Sequence, residues 1–537
     1  MIVPGGVRTI DAQGHYALPG GIDTHTHMNL SFMGSQSVDD FYSGTRAALA
    51  GGTTTIMDFA IPEKNGSLID AYHKWRNWAD EQACCDYVFR MAITSFKKGK
   101  TDVEMEQLVR EFGINAFKCF MAYKDMFMLT DEELISVFEK CSEIGALAMV
   151  HAENGDIIDH NVKKLKALGI TGPEGVIQSR PEEIEAEATN RALTIGNQLN
   201  CPVYVVHVMS KSAADVIVSA RNRGVIGFGE AITAGFGSDG THYFNRCWRH
   251  AAAHVLNPPL RPDTSTADHL ITLMASGQIV TTGSDHCTFD SKQKALGNDD
   301  FTKIPCGVNG VEERMIILWE RGVRTGKLDP KQFVAVTSSN AAKIFNIYPR
   351  KGRLAKGSDA DIVIWGPKPH IIKAENHHSK VDFNIFEGFE VANGPLVVVA
   401  NGKVVLDEDG LHVAHGSGRF IPCLPNCDYV CGNTQNREKV LPIKIDRSQK
   451  SDGEKVSKKN FGVSRAIPAP IIIDAPRPSS CNVLSTNGFH RGMTRSGVRN
   501  QQDSSFNLAG QQIDDDRLSK TSTRVHNPPG GRSSGIF

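Results

Sequence analysis

The sequence lacks an excess of charge of either sign. Its 537 residues include 59 Lys+Arg and 60 Asp+Glu, so the formal net charge is -1. Proteins that bind nucleic acids through phosphate contacts carry a basic excess, and this balance argues against that class. No apolar run approaches the roughly 18 residues of a membrane span. The N-terminus also lacks a signal peptide's pattern. We therefore expect neither nucleic acid nor a membrane as a partner.

The sequence also lacks a disulfide framework. Its 12 cysteines are scattered through the chain and none forms a Cys-x-x-Cys pair. Disulfide scaffolds are typical of short secreted chains, whereas scattered cysteines in a large chain indicate reduced thiols. These features predict a cytoplasmic protein.

Alternating strand and helix patterns occupy most of the chain. Short runs rich in Val, Ile, Phe and Thr resemble buried parallel strands, and amphipathic helical stretches separate them. Eight strands repeated in this way predict an α/β fold, a closed (β/α)₈ barrel over residues 18–350. The predicted strands are residues 17–27, 53–60, 88–94, 116–122, 146–153, 202–209, 225–231 and 279–285.

The remaining segments differ from the barrel in composition and in residue pattern. Residues 351–421 are rich in β-formers and contain the hairpin signal Asn401-Gly402, which predicts a small β-sandwich domain. Residues 1–17 are expected to add a partial strand to it. A C-terminal extension follows over 422–447. From 448 to 537 periodicity fades while Ser, Gly, Asn, Arg and Pro accumulate, which predicts a disordered tail.

Polar groups that can hold a metal stand at the ends of several predicted strands. Residues two apart in an extended segment point the same way, so His25 and His27 can bind one ion together. The carboxyl ends of barrel strands form the functional face of this fold. A single histidine is more often a satisfied core or surface residue, but the whole set is hard to ascribe to chance. The set comprises His25, His27, Lys118, His151, His207 and Asp285.

Lys118 is the unusual member of this set. It lies inside the apolar segment Ala116-Phe117-Lys118-Cys119-Phe120, where a bare ammonium is costly. Burial favours the neutral, nucleophilic amine, which can add carbon dioxide to form a carbamate. The hypothesis is that this anion bridges two divalent metals; the alternative is a lysine that faces solvent.

Four segments resemble the cyclic amidohydrolases, and most closely the dihydropyrimidinases and hydantoinases. The resemblance covers about residues 1–435. It rests on Gly20-Gly21-Ile22-Asp23-Thr24-His25-Thr26-His27, Phe117-Lys118-Cys119-Phe120-Met121-Ala122-Tyr123-Lys124-Asp125, Val150-His151-Ala152-Glu153-Asn154 and Gly283-Ser284-Asp285-His286.

The resemblance implies a barrel with a small β-sandwich, usually as a homotetramer, and a site with two zinc ions. By resemblance, one zinc is held by His25, His27, Lys118 and Asp285, and the other by Lys118, His151 and His207. The N6-carboxylated Lys118 and a hydroxide are expected to bridge them.

The same resemblance suggests roles in catalysis. Asp285 is expected to take a proton from water and pass it to the leaving nitrogen. Tyr123 is expected to donate a hydrogen bond to the developing oxyanion, although a packed aromatic is the alternative. Substrate contacts are implied near Asn257 and Cys306. Relatives often carry Ser or Gly at the position of Asn257, and Asn at the position of Cys306. These differences loosen the substrate assignment.

The residues after His27 favour an uncharged ring. Enzymes of this family that bind acidic rings typically place an arginine there, whereas this chain has Met28-Asn29-Leu30 with Phe32 and Met33 beyond. A neutral, partly apolar mouth suits 5,6-dihydrouracil and dihydrothymine, opened to N-carbamoyl-β-amino acids. Hydantoins are expected as secondary substrates.

The tail favours a different function. The blocks Ser505-Phe506-Asn507-Leu508-Ala509-Gly510, Ile513-Asp514-Asp515 and Pro528-Pro529-Gly530-Gly531-Arg532-Ser533 resemble the collapsin response mediator proteins. That resemblance implies a neuronal cytoskeletal adaptor, usually without catalysis, with cytoskeletal or signalling partners bound through the tail. Such adaptors lack most of the ligand set, which is complete here, so the enzyme is favoured. A structural barrel with a vestigial metal site is a third alternative.

Overall fold

The computed structural model describes residues 9–12 and 14–435. Eight parallel strands form one sheet that curves into a nearly closed barrel, in the order β11-β10-β9-β8-β7-β6-β5-β2. These strands are β2 (Gly21–Thr26), β5 (Thr53–Ala60), β6 (Asp86–Ile93), β7 (Ala116–Phe120), β8 (Leu147–His151), β9 (Val203–Val205), β10 (Gly227–Ile232) and β11 (Thr281–Gly283). The predicted α/β barrel is confirmed.

The two ends of the sheet meet through the loop that follows β11. The amide of Asp285 donates to the carbonyl of His25 at 2.9 Å, and the amide of His27 donates to the carbonyl of His286 at 2.9 Å. Ser284 Oγ adds a hydrogen bond to the His25 carbonyl at 3.1 Å. The seam of the barrel therefore lies beside the predicted metal ligands.

Helices surround the barrel, and a continuous apolar layer lies between them and the strands. They are α1 (Phe41–Ala50), α2 (Leu68–Gln82), α3 (Thr101–Phe112), α4 (Asp131–Ile144), α5 (Gly155–Ala167), α6 (Glu174–Ser179), α7 (Glu182–Gln198), α8 (Lys211–Asn222), α9 (Thr233–Gly237), α10 (Trp248–Ala253), α11 (Ser265–Ala275), α12 (Ser291–Lys294), α13 (Arg314–Leu318), α14 (Pro330–Val334), α15 (Asn340–Ile344) and α16 (Asp428–Gln435). Short 3-10 helices cover Gly240–Phe244, Ala295–Gly297 and Phe301–Lys303, and π-helical turns cover Trp319–Val323 and Ala335–Ser339.

A five-stranded antiparallel sheet packs beside the barrel, in the order β1-β12-β13-β14-β15. Its strands are β1 (Tyr16–Pro19), β12 (Ile362–Ile371), β13 (Glu390–Ala400), β14 (Lys403–Asp407) and β15 (Gly410–Leu411). The predicted hairpin at Asn401-Gly402 joins β13 to β14, and both of its residues have positive φ, 51° and 78°. A further small hairpin pairs β3 (Ser31–Phe32) with β4 (Ser35–Gln36).

The first predicted strand, residues 17–27, is wrong as a single element. The chain changes partners at Gly20: β1 pairs antiparallel with β12, whereas β2 pairs parallel with β5. A Cβ on Gly20 would meet Thr54 Oγ1 at 2.0 Å, so only glycine permits this close crossing.

Some of the sequence predictions fall on residues that the structure does not describe. The tail over 448–537 lies outside the described residues, as do Met1–Arg8 of the N-terminal strand prediction. Eleven cysteines lie within the described part, and none of these forms a disulfide. Over the same residues, no helix combines the length and apolar character needed to cross a bilayer.

Candidate metal centre

The six predicted ligands meet in one pocket at the carboxyl ends of the barrel strands. His25 lies in β2 and His27 just after it, Lys118 lies in β7, and His151 ends β8. His207 and Asp285 follow β9 and β11. The space between these side chains measures about 520 Å³ when the open solvent at its mouth is included.

One group of ligand atoms comes from β2 and the loop after β11. His25 Nε2 lies 3.1 Å from Asp285 Oδ1, and His27 Nε2 lies 3.3 Å from the same oxygen. The two Nε2 atoms are 3.2 Å apart. Three potential ligand atoms thus converge on one point, which is the arrangement that a metal ion requires.

A second group comes from β8 and the loop after β9. His151 Nδ1 lies 2.9 Å from His207 Nε2. The rings of His207 and His25 stack with centroids 5.4 Å apart, which places the two groups side by side. Both groups therefore face one small volume.

Buried carboxylates orient the two most enclosed histidines. His25 Nδ1 is 2.8 Å from Glu230 Oε1 in β10, so its Nε2 is left to face Asp285. His151 Nε2 is 2.7 Å from Glu153 Oε2, so its Nδ1 is left to face His207. Carboxylates that hold the far nitrogen of a histidine are typical partners of metal ligands.

The two supporting carboxylates, Glu230 and Glu153, are themselves held by hydrogen bonds from other buried side chains. Glu230 accepts hydrogen bonds from Thr24 and Tyr204, and the pKa of Glu230 falls to about 2 because adjacent His25 outweighs the opposing effect of burial. Glu153 accepts from Arg180 Nη1 at 2.6 Å. Roles for Glu230, Glu153 and Arg180 were not predicted from the sequence. A lone carboxylate within the apolar run of β10 was the available signal for Glu230.

Lys118 is buried inside the barrel. Its Nζ lies 4.9 Å from the ring centre of Phe59 and 5.4 Å from that of Phe120. Burial lowers the pKa of Lys118 to about 7, although the charges of Asp285 and Glu230 oppose the shift. A substantial neutral fraction is therefore available for reaction at neutral pH.

Two of the histidines, His27 and His207, are held neutral by burial. Burial lowers the pKa of His27 to about 4, and it lowers the pKa of His207 well below the usual value. Asp285 remains a carboxylate, since His25 and His27 hold its pKa below the usual range despite its burial. Neutral imidazoles and an anionic carboxylate are the protonation states in which these groups bind metals.

Three of the predicted site residues adopt left-handed backbone conformations. The φ angles of Tyr123, His207 and Asp285 are 62°, 37° and 52°. Each follows a barrel strand directly or within a few residues, and non-glycine residues with positive φ cluster at ligand-binding sites. The strained turns direct these side chains into the pocket.

The predicted substrate contacts line the same pocket. Tyr123, Asn257 and Cys306 all border it, and Asn257 Nδ2 lies 3.1 Å from Cys306 Sγ. Burial raises the pKa of Tyr123 well above its usual value, so its hydroxyl keeps the proton that it would donate. The mouth is apolar, with Leu30, Phe32 and Phe127 among its lining residues.

The donor set fits divalent metal ions. In His25 and His151, the nitrogens that face the other ligands, Nε2 and Nδ1, are the ones that Glu230 and Glu153 do not engage. Imidazole and carboxylate ligands suit zinc and neighbouring transition metals.

Comparisons with known proteins agree with this geometry. The amidohydrolase family matches residues 16–405. The chain is 57% identical to a dihydropyrimidinase from Rattus norvegicus over 445 residues, which is 82% of this chain and 86% of that protein. It is 46% identical to the human dihydropyrimidinase-related protein 5 over 544 residues, covering 100% of this chain and 93% of the other.

Solved structures give the same result. The structure of a dihydropyrimidinase from Brevibacillus agri superimposes with a TM-score of 0.77 at 40% identity, covering 79% of this chain and 92% of that one. An L-hydantoinase from Arthrobacter aurescens superimposes with a TM-score of 0.71 at 28% identity, covering 78% of this chain and 92% of that one. The chain therefore belongs to the amidohydrolase family, in the group that includes dihydropyrimidinases and hydantoinases.

Proposed function

We propose that this protein is a zinc-dependent dihydropyrimidinase. It would open 5,6-dihydrouracil and dihydrothymine by hydrolysis, giving N-carbamoyl-β-amino acids. The observation that carries the proposal is the complete set of six ligands around one pocket, with Glu230 and Glu153 orienting the histidines toward its centre. The identity to a named dihydropyrimidinase supports the choice of substrate.

The ligands would divide between two zinc ions. His25, His27 and Asp285 would hold one ion, His151 and His207 the other, and Lys118 would join both as an N6-carboxylated lysine. When bound, the two ions would supply Lewis acidity and acidify water at neutral pH. The partly neutral state of buried Lys118 supports the modification, because the neutral amine is the form that adds carbon dioxide.

The remaining steps would be carried by protein groups. Asp285 would accept the proton of the attacking water and deliver it to the ring nitrogen that leaves. Tyr123 would donate a hydrogen bond to the oxygen that becomes negative in the transition state. Asn257 and Cys306 would contact the ring's amide groups at the opposite side of the pocket, while Leu30, Phe32 and Phe127 would exclude water from it.

Metal content and ring opening, measured on one preparation, test the proposal. The expected result is two zinc ions per chain and loss of dihydrouracil absorbance. Lys118→Ala should lose both metal and activity, whereas Lys343→Ala removes a buried lysine that does not line the pocket and should keep both. A folded protein with neither metal nor turnover would rule out the proposed enzymatic function. Faster opening of dihydroorotate than of dihydrouracil would contradict the proposed substrate.

A second candidate function is that of a cytoskeletal or signalling adaptor acting through the tail. The supporting observation is that the match to human dihydropyrimidinase-related protein 5 spans this whole chain, including the tail. Both functions are compatible in one protein, because the ligand set lies in the barrel and the tail follows it. Binding of a cytoskeletal partner by the full chain but not by residues 1–447 would support this function.

The assembly and location belong to the same proposal. We infer a homotetramer in the cytoplasm, from the resemblance to related enzymes and from the free cysteines of the described residues. Sedimentation of the purified chain tests the assembly, and a monomer at micromolar concentration would contradict it.

A further inference from the structure

Three histidines outside the pocket form a second cluster of potential metal ligands. His242 lies in the 3-10 helix Gly240–Phe244, His250 lies in α10, and His254 follows α10 directly. One ring nitrogen from each lies within 4.8 Å of the others. None of the three lines the proposed active site.

The distances within this His242/His250/His254 cluster are short. His242 Nδ1 lies 2.9 Å from His250 Nε2. The ring of His254 lies 4.1 Å from that of His242 and 4.7 Å from that of His250, measured between centroids. The three imidazoles therefore enclose one small volume at the protein surface.

The backbone sets the tautomer of the most buried member. His254 Nδ1 lies 2.8 Å from the carbonyl oxygen of His250, a pure acceptor, so Nδ1 carries the proton and Nε2 carries the lone pair. Hydrogen bonds of this kind, from the far nitrogen to a backbone carbonyl, typically orient metal-binding histidines.

The 3-10 helix that carries His242 is held by a cap and by two backbone contacts. Asp239 caps the 3-10 helix by accepting from the amide of Thr241 at 2.9 Å. The amide of Gly240 donates to the carbonyl of Arg261 at 2.8 Å, and that of Leu260 donates to Tyr243 Oη at 3.2 Å. The backbone that carries His242 is thus held by contacts with Arg261 and Leu260.

One ring rotation is required for ligand geometry. The rings of His242 and His254 stack with planes only 8° apart, so their in-plane lone pairs do not meet at one ion as they stand. His242 and His250 are partly exposed, whereas His254 is buried. Of this stacked pair, the partly exposed His242 is therefore the ring that would turn.

We propose that the His242/His250/His254 cluster is a separate binding site for a transition-metal dication such as Zn²⁺. Three neutral imidazoles prefer zinc, copper, nickel or cobalt over magnesium or calcium, which favour oxygen ligands. Burial lowers the pKa of His254 to about 3 and also lowers that of His250, so both are neutral when the ion arrives. Three protein ligands leave a fourth position for water.

Zinc titration of the metal-replete protein tests this site. Calorimetry should show one zinc ion beyond those already bound, and this ion should be lost in both His242→Ala and His250→Ala. These variants change partly exposed side chains that do not line the pocket, so the fold and the ring-opening activity of the metal-replete pocket should be retained. His269→Ala, which changes a histidine of α11 paired with Asp215, serves as the matched control and should keep the extra ion.

Further variants separate this site from other sources of zinc binding. Cys247→Ser should also keep the extra ion, although Cys247 is exposed and precedes α10. Zinc held by the tail residues His490 or His526 would persist in both cluster variants and would overturn the proposal. Absence of extra zinc in the unaltered chain would overturn it as well. Since each variant is compared with its parent, these outcomes do not depend on whether the pocket hydrolyses dihydropyrimidines.

Discussion

At the scale of single residues, Glu230 supports the proposed metal ligands from behind, without lining the pocket itself. Its carboxylate lies at the centre of a buried network that includes His25, Thr24 and Tyr204, together with the backbone amide of His207 at 3.2 Å. It therefore contacts ligands from both halves of the site. We therefore expect the loss of this one charge to weaken binding of both proposed metal ions.

The variant Glu230→Gln tests that role. The glutamine amide has about the same volume as the carboxylate, but in one orientation it presents a donor to His25 Nδ1. The substitution also removes the negative charge that stabilises the His25 tautomer with its lone pair on Nε2. We expect metal affinity or activity to fall about 10–100-fold. Zinc content after dialysis and kcat measure the effect. Glu313→Gln, which alters a buried carboxylate outside the pocket, should leave the zinc content unchanged.

Lys294 supports the substrate side of the pocket. Its buried ammonium donates to the carbonyl of Val255 at 2.9 Å and to that of Gly307 at 2.8 Å. These carbonyls flank Asn257 and Cys306, so one side chain ties together the two segments expected to bind the ring. Burial lowers the pKa of Lys294 to about 8, because the charged ammonium is less stable away from water.

Lys294→Met should loosen these two segments without touching the metals. Two hydrogen bonds from a charged donor are lost, each worth about 1.5–3 kcal/mol. We expect KM for dihydrouracil to rise roughly 10-fold while zinc content stays constant. Lys292→Met, on the exposed side of the same helix, is the matched control. An unchanged KM would show that the backbone segments hold their positions without Lys294.

At the scale of elements, the closure of the barrel depends on the close approach of β11 to β2. A Cβ on Gly283 would meet His25 Cβ at 2.8 Å and Glu230 Cδ at 3.2 Å. The glycine is therefore required by the packing of His25, a proposed metal ligand, against Glu230.

Gly283→Ala should displace His25 and weaken both the fold and the site. Overpacking of a buried position typically costs about 1–3 kcal/mol, and we expect a loss of that size in the free energy of unfolding together with reduced zinc content. Chemical denaturation and metal analysis measure the two effects. Gly432→Ala, in α16 with open space at its Cβ position, should be neutral or slightly stabilising.

Element patterns predicted the barrel, but they did not predict where its first strand begins. Apolar runs and their spacing are local properties, so β5 was predicted with its observed bounds, residues 53–60. The change of partner at Gly20 depends on contacts with β5 and β12, which are distant in the chain. The same reasoning applies to the site. His25 and His27 follow from a two-residue spacing, whereas Glu153 and Lys294 depend on neighbours that only the fold provides.

At the scale of the whole molecule, a buried ion network joins the barrel to the antiparallel sheet. Lys351 Nζ contacts Asp86 of β6 at 2.6 Å and also pairs with Asp361, which precedes β12. Arg419 binds Asp86 from the other side at 2.7 Å. Although burial opposes the shift, Arg419 and Lys351 hold the pKa of Asp86 below its usual value. Ion pairs thus link the barrel to the antiparallel sheet.

Lys351→Met should leave Asp86 and Asp361 buried with one cation fewer. Removing one partner of a buried pair typically costs about 3–5 kcal/mol, which we expect as a loss of unfolding free energy at pH 7. The contribution of a carboxylate with a lowered pKa is present above its unfolded pKa, about 3.9, and is lost as the pH falls through its folded pKa. The difference in unfolding free energy between the variant and the unaltered protein should therefore become smaller as the pH falls. Denaturation at a series of pH values measures it, and a constant difference would contradict this account.

Removal of the tail tests how the two proposed functions divide the chain. All residues that line the pocket lie between His25 and Gly307, far from the segment 448–537 in sequence. A protein ending at residue 447 should therefore keep its zinc content and its kcat/KM for dihydrouracil, because no ligand or pocket residue is lost. The full chain is its control, measured at the same protein concentration so that assembly is matched. A large fall in kcat/KM on truncation would show that the tail contributes to catalysis, and the division between a catalytic barrel and an interacting tail would be wrong.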